Sequence, residues 1–171
     1  MFEENKKKAL ENFEKHLKEG RVDEELIEFL KEFNKKENYY TTSSCAGRII
    51  ILLDKGKKGE SKIVAKWHRE ISFEEFIEIY KKLDFNNKYF LKQEPLILHI
   101  VCKNLKDAIK ILKLCRKHGL KHSGIISMKK EKIVIEVNGL DYLQVPLFEN
   151  MDENYLKKLI EIANQKLRRN K

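Results

Sequence analysis

No apolar run in the chain approaches the roughly 18 residues that a membrane-spanning helix needs, which excludes a spanning helix. Residues 1–10 are charged and do not look like a secretory leader. Cysteine is sparse. Cys45, Cys102 and Cys115 are scattered, odd in number and form no CxxC pair, which argues against a disulfide framework and for a reducing cytoplasm. Cys102 and Cys115 stand in apolar patterns and read as small buried hydrophobes. No set of cysteines and histidines has the spacing of a metal site, so no metal is expected. No Gly-x-Gly-x-x-Gly follows a strand pattern, which leaves a Rossmann-type fold unsupported. No low-complexity segment or linker divides the 171 residues, so a single domain over residues 1–171 is expected.

Charge is plentiful. Lysine and arginine number 36 against 27 acidic residues, a net charge of +9, which favours a polyanion such as nucleic acid as partner. Thirty of the 36 are lysines set among glutamates, and there are only three glutamines, a composition that also suits a thermophile's surface. Lys81, Lys82, Lys129, Lys130, Lys132, Arg168 and Arg169 form a solvated face, or contact phosphates if RNA binds.

Periodicity places helices at residues 2–17, at 23–34 behind an Asp23 cap, and from a Ser72/Glu75 capping box to about Leu83. Another runs from Asn104 to His118, closed by Gly119, and a last one from Asp152 to about Arg168. Strand patterns occupy 39–43, 49–53, 63–68, 89–93, 96–102, 123–128, 132–137 and 139–145, with a hairpin turn at 56–59. The uniformly apolar 49–53 reads as buried on both faces. The fold class is therefore α+β: one mixed or antiparallel sheet packed with helices. A strand-helix-strand-strand order occurs in each half without sequence similarity.

The segment Thr41-Thr42-Ser43-Ser44-Cys45-Ala46-Gly47-Arg48 concentrates hydroxyls, a thiol, a glycine and a guanidinium between Tyr39-Tyr40 and an apolar run. It reads either as a turn or as a loop that grips a polar ligand, with Gly47 allowing close approach and Arg48 offering a planar fork to an anion. His99 interrupts an apolar strand. Its ring is either satisfied in the core by one hydrogen bond or aimed at a ligand as base or donor. His68 ends a strand directly after Trp67, the only tryptophan, which is either a core aromatic or a stacking surface for a base. His16, His118 and His122 read as surface residues.

Taken together, these residues resemble the methyltransferase family that acts third in eukaryotic wybutosine synthesis on tRNA, and its archaeal wyosine homologues. The shared pieces are Ser43-Ser44-Cys45-Ala46-Gly47-Arg48, His68, Glu94-Pro95-Leu96-Ile97-Leu98-His99, Ser123-Gly124-Ile125, Val145-Pro146-Leu147 and Ala163-Asn164-Gln165-Lys166. Each is short; their order across residues 1–166 makes the combination specific. One departure is Trp67 beside His68, since some relatives place the tryptophan earlier in that strand. The resemblance implies a methyltransferase without a Rossmann-type fold. It implies S-adenosylmethionine as donor, and N4 of a 4-demethylwyosine-type base at guanosine 37 of phenylalanine tRNA as acceptor. It further implies His99, then His68, as base, and Ser43, Ser44, Cys45, Gly47, Arg48, Ser123 and Gly124 around cofactor or substrate. Direct transfer to nitrogen needs no thiol, so Cys45 is expected to pack. The competing readings are a non-catalytic basic RNA-binding module and a small-molecule-binding regulatory domain.

Overall fold

Alternating apolar residues in the strands and three- or four-residue spacing in the helices build the elements in chain order. Helices α1 (Phe2–Lys18) and α2 (Glu24–Asn34) precede strand β1 (Tyr39–Cys45). Strands β2 (Arg48–Asp54) and β3 (Lys62–Trp67), helix α3 (Phe73–Tyr80) and strand β4 (Lys88–Glu94) follow. Then come β5 (Ile97–Cys102), α4 (Leu105–Lys117), β6 (Gly124–Lys129), β7 (Lys132–Asn138), β8 (Leu143–Leu147) and α5 (Glu153–Arg169). The structure, a computed structural model, describes residues 1–57 and 59–169, so Lys58 of the expected 56–59 turn lies outside the described residues. Contacts gather into two units, one of residues 1–46 and 96–140, the other of 47–95 and 141–171.

In the first unit, β1, β5, β7 and β6 lie side by side in an antiparallel sheet. Leu98, Ile100 and Cys102 of β5 and Ile133, Ile135 and Val137 of β7 share one face by the two-residue period of a strand. They pack with Leu30 and Phe33 of α2 and Ala108, Ile111 and Cys115 of α4. Burial of this kind contributes about 1.5–3 kcal/mol per large apolar side chain. It also explains the thiols: burial pushes Cys102 up to about 12, with Asp107 adding to the effect. On the opposite face, Tyr40, Val101 and Val134 meet Phe2 and Ala9 of α1. β5 and β6 both run antiparallel to β7, so they are parallel to each other and are joined by α4. Asn104 caps that helix, its side-chain oxygen accepting from Asp107 N at 2.9 Å.

In the second unit the antiparallel order is β3-β2-β4-β8. Ile49, Ile51, Tyr89, Leu91 and Leu147 face Phe76 and Tyr80 of α3 and Leu156, Leu159, Ile160, Ala163 and Leu167 of α5. Ser72 and Glu75 make the expected capping box. Hydrogen bonding from Arg69, then from Ser72, draws the Glu75 carboxyl down to about 2. Asn164 of α5 bonds both backbone groups of Ile71, accepting from N at 3.0 Å and donating to O at 2.8 Å. Pro146 sits inside β8, where the missing N–H is tolerated because β8 is an edge strand. No helix among the described residues is long and apolar enough to cross a membrane.

The α+β class holds, with two four-stranded sheets in place of one. The strand-helix-strand-strand order is present along the chain as β3-α3-β4-β5 and β5-α4-β6-β7, but β4 and β5 belong to different sheets. Helix α3 stops at Tyr80, and β8 spans Leu143–Leu147 rather than 139–145. Asp23 occupies the N-cap position of α2 without a side-chain cap bond to that helix; its carboxylate instead accepts from Ala46 N at 2.6 Å.

Candidate functional site

The segment from Ser43 to Arg48 is mostly strand. Ser43, Ser44 and Cys45 belong to β1 and Arg48 opens β2, leaving Ala46-Gly47 as the connection. An edge strand accepts so many small polar residues because one of its sides has no ladder partner. Helix α2 holds this strand at two points. Asn34, at its C-terminal end, accepts from Thr41 N at 2.8 Å and donates to Thr41 Oγ1 at 2.9 Å, and Asp23 holds Ala46 N. Between them the register with β5 slips at a bulge. Tyr40 faces Val101 and Ser43 faces His99. Plain alternation from Tyr40 would have turned Thr42 toward that face; the inserted residue brings Ser43 there instead.

The row continues across the sheet. His99 pairs with Glu136, and Glu136 with Gly124, so Ser43, His99, Glu136 and Gly124 lie in line over four strands, on the face opposite α2 and α4 that Tyr40, Val101 and Val134 share. Three of them are joined by hydrogen bonds. Ser43 Oγ is 2.6 Å from His99 Nδ1, and His99 Nε2 is 2.8 Å from Glu136 Oε2. Asn138 Nδ2 donates to the other carboxylate oxygen, Oε1, at 2.9 Å. The Asn138 amide and then the His99 ring hold the Glu136 carboxyl below its ordinary range, against the opposing effect of burial. The side chains of His99 and Glu136 keep 27% and 29% of their surface, and Ser43 is exposed. A Cβ on Gly124 would meet nothing within 4 Å, so the end of the row is open.

Other expected residues stand differently. Ser44 lies opposite Leu98 and so points to the apolar side, while Cys45 lies opposite Ile97 on the same face as the row. Ser123 is buried. Its hydroxyl accepts from Asn138 N at 3.1 Å and bonds Cys115, so it ties β7 to the end of α4 rather than presenting itself to a ligand.

Gly47, Arg48 and His68 belong to the second unit. Gly47 has φ +111°, and a Cβ there would come within 3.0 Å of Glu94 O and 3.1 Å of Leu167 Cδ1. This glycine is therefore required by a close backbone approach. Arg48 stands opposite Glu94 and pairs with it through Nε at 2.5 Å, with Lys92 at 3.5 Å from the same carboxylate. Both side chains of the Arg48–Glu94 pair stay about 30% exposed. His68 follows β3 and is exposed; Trp67 packs against the apolar core.

Sequence reasoning passed over Glu136 and Asn138. The signal was available: Glu136 is a lone charge between Ile133-Val134-Ile135 and Val137, the same irregularity that drew attention to His99.

The family model described as Methyltransferase TYW3 matches residues 4–171. A Pyrococcus horikoshii protein named tRNA(Phe) 7-((3-amino-3-carboxypropyl)-4-demethylwyosine(37)-N(4))-methyltransferase 1 is 42% identical, over 98% of this chain and 88% of its own length. A Methanocaldococcus jannaschii protein whose name specifies the same activity is 39% identical, over 98% and 90%. Among solved structures, PH1069 from Pyrococcus horikoshii superposes with a TM-score of 0.89 at 40% identity, covering 99% of this chain and 90% of that one. A hypothetical protein from Aeropyrum pernix gives 0.77 at 28% identity, covering 86% and 90%.

Proposed function

This chain belongs to the TYW3 methyltransferase family, and on that premise we propose that it methylates N4 of a 4-demethylwyosine-type base at position 37 of phenylalanine tRNA in the cytoplasm. The whole chain would serve as one catalytic domain, with S-adenosylmethionine as the methyl donor. The carrying observation is the hydrogen-bonded row of Ser43, His99 and Glu136 on a partly exposed sheet face. N4 must lose a proton as it becomes methylated. A histidine backed by a carboxylate is suited to take that proton near neutral pH and to stabilise the charge that follows.

The residues fit such a donor by their chemistry. When bound, it supplies a methyl group on positively charged sulfur, so no nucleophilic thiol is needed and Cys45 has no covalent part. In the second unit, Arg48 offers a planar fork to the donor's carboxylate or to a tRNA phosphate. In the first unit, Ser43 supplies a hydroxyl for polar groups, and the open place at Gly124 leaves room for a flat base beside Glu136. An anticodon loop presents unpaired bases that can be splayed out of the stack, so the protein need not open a duplex. The net charge of +9 supports contact with the flanking phosphates.

Mass spectrometry of nucleosides, after incubating the protein with S-adenosylmethionine and demethylated tRNA, tests the reading. A gain of one methyl on the tricyclic base is expected. Tight tRNA binding with no methyl gain, and no calorimetric signal for S-adenosylmethionine, would overturn it in favour of a binding module.

A further inference from the structure

Both ring nitrogens of His99 are already engaged: Nδ1 by Ser43 Oγ at 2.6 Å and Nε2 by Glu136 Oε2 at 2.8 Å. Neither is left to touch a substrate. The exposed member of the row is Ser43, whose oxygen has two lone pairs besides its O–H. We propose that Ser43 is the group that takes the substrate N4 proton while its own proton moves to His99 Nδ1, and that Glu136 is a positioning residue that sets the histidine tautomer for this transfer. The inference rests on the reading of the chain as an N4-methyltransferase.

The direction of the row follows from its acceptor end. Glu136 is a carboxylate with an amide donor on one oxygen and the ring on the other, and an ionised carboxylate can only accept. Nε2 of the neutral ring therefore carries the hydrogen. Nδ1 is then the lone-pair nitrogen, and Ser43 donates to it. Asn138 fixes the carboxylate in turn, so the order runs Asn138, Glu136, His99, Ser43, from the inner strands to the exposed hydroxyl on the edge strand β1. The β1 bulge is what puts a hydroxyl at the surface end on this face.

The transfer balances. The N4–H bond breaks and its electron pair stays on N4. A new Oγ–H bond forms as the original one breaks, and the released proton forms Nδ1–H. Ser43 ends as a neutral hydroxyl, and the imidazolium lies between it and the Glu136 carboxylate, whose negative charge offsets the positive one. His99 is thus the final proton acceptor, and Ser43 the residue that contacts the reacting nitrogen.

Two measurements test this. The first uses the free protein: histidine 15N chemical shifts, with the His99 signals identified by their loss in His99→Gln. A protonated Nε2 and an unprotonated Nδ1 are expected in the neutral ring, with the preference weakened in Glu136→Gln. A neutral ring protonated at Nδ1 would overturn the assignment. The second is single-turnover methyl transfer. Ser43→Ala should slow the chemical step about 10²–10³-fold, with tRNA affinity and circular dichroism unchanged and with partial recovery in Ser43→Thr. Glu136→Gln should slow it about tenfold or more, and should move the acidic limb of the pH–rate profile to lower pH, because the imidazolium has lost its counter-charge. A wild-type rate in Ser43→Ala, while His99→Ala is inactive, would overturn the role of Ser43 and leave the methyltransferase reading intact. A wild-type protein that adds no methyl would sink both.

Discussion

The two sheets share one architecture and use it differently. Each has four antiparallel strands with a main apolar core under helices on one face, and each carries polar side chains on the other, a face that in the first unit also packs Phe2 and Ala9 of α1. In the first unit these are a hydroxyl, an imidazole and a carboxylate joined in sequence. In the second they are Arg48, Glu94 and Lys92, joined as ion pairs. The first set is linked so that a proton can pass along its hydrogen bonds; guanidinium and ammonium groups keep their protons at neutral pH. One sheet face is thus suited to moving a proton and the other to holding an anion, although both arise from the same strand alternation.

Substitutions sharpen or break this contrast. The largest effect is expected from His99→Ala, which should slow methyl transfer by about 10²–10⁴-fold while thermal unfolding stays near that of the wild type. Full activity would remove the proton-moving half of the contrast. Arg48→Ala should instead weaken tRNA or donor binding by about ten- to hundredfold, the worth of one charge-assisted hydrogen bond, with the chemical step unchanged at saturation. A slowed step at unchanged affinity would make the two faces alike. Gly47→Ala should cost about 1–3 kcal/mol through its strained φ and the contact with Glu94 O, read as a melting temperature several degrees lower. An unaltered midpoint would mean that the connection between β1 and β2 tolerates a side chain.

Gly124→Val should be smaller still. The position is extended strand with open space above it, so stability should hold within about 0.5 kcal/mol. Activity should fall several-fold as the valine fills the space beside Glu136, and an unimpaired rate would show that the substrate does not use that end of the row. The smallest effect concerns pH. Burial, followed by the Asp107 charge, raises the Tyr39 phenol to about 12. A raised value favours the protonated, folded state, so this contribution is complete below about pH 10, the unfolded phenol's range, and is lost as pH rises through about 12. Tyr39→Phe should flatten that alkaline loss in a denaturation series, and an unchanged slope would rule out the phenol as its source.

Much of this was legible in the sequence because it depends on neighbours along the chain. The Ser72-to-Glu75 spacing announces its capping box, and the period-two pattern of Leu98, Ile100 and Cys102 announces a buried strand face. His99 stood out for the same reason, as a polar side chain in apolar company. What was hidden depends on pairing between distant strands. Ser43 and His99 are 56 positions apart, and only a bulge aligns them. Glu136 carries no motif, and its partnership with His99 exists only once β5 and β7 are in register. Asp23 was misread for a similar reason. A cap was the nearest use for its carboxylate, but Ala46, 23 positions on, holds it instead. The Ala163-Asn164-Gln165-Lys166 piece of the family pattern proved architectural, since Asn164 binds Ile71 and Lys166 pairs with Asp141.

The chain's threading also bears on its birth. Every residue of the Ser43–His99–Glu136 row, and every strand of its sheet, precedes helix α5 in the chain and is therefore synthesised before it. The second unit cannot close so early. Strands β2, β3 and β4 emerge with an apolar face that must wait for Leu156, Leu159, Ile160, Ala163 and Leu167 of the final helix. Vectorial synthesis therefore completes the sheet that carries Ser43, His99 and Glu136 before the helix that covers the other sheet has been made.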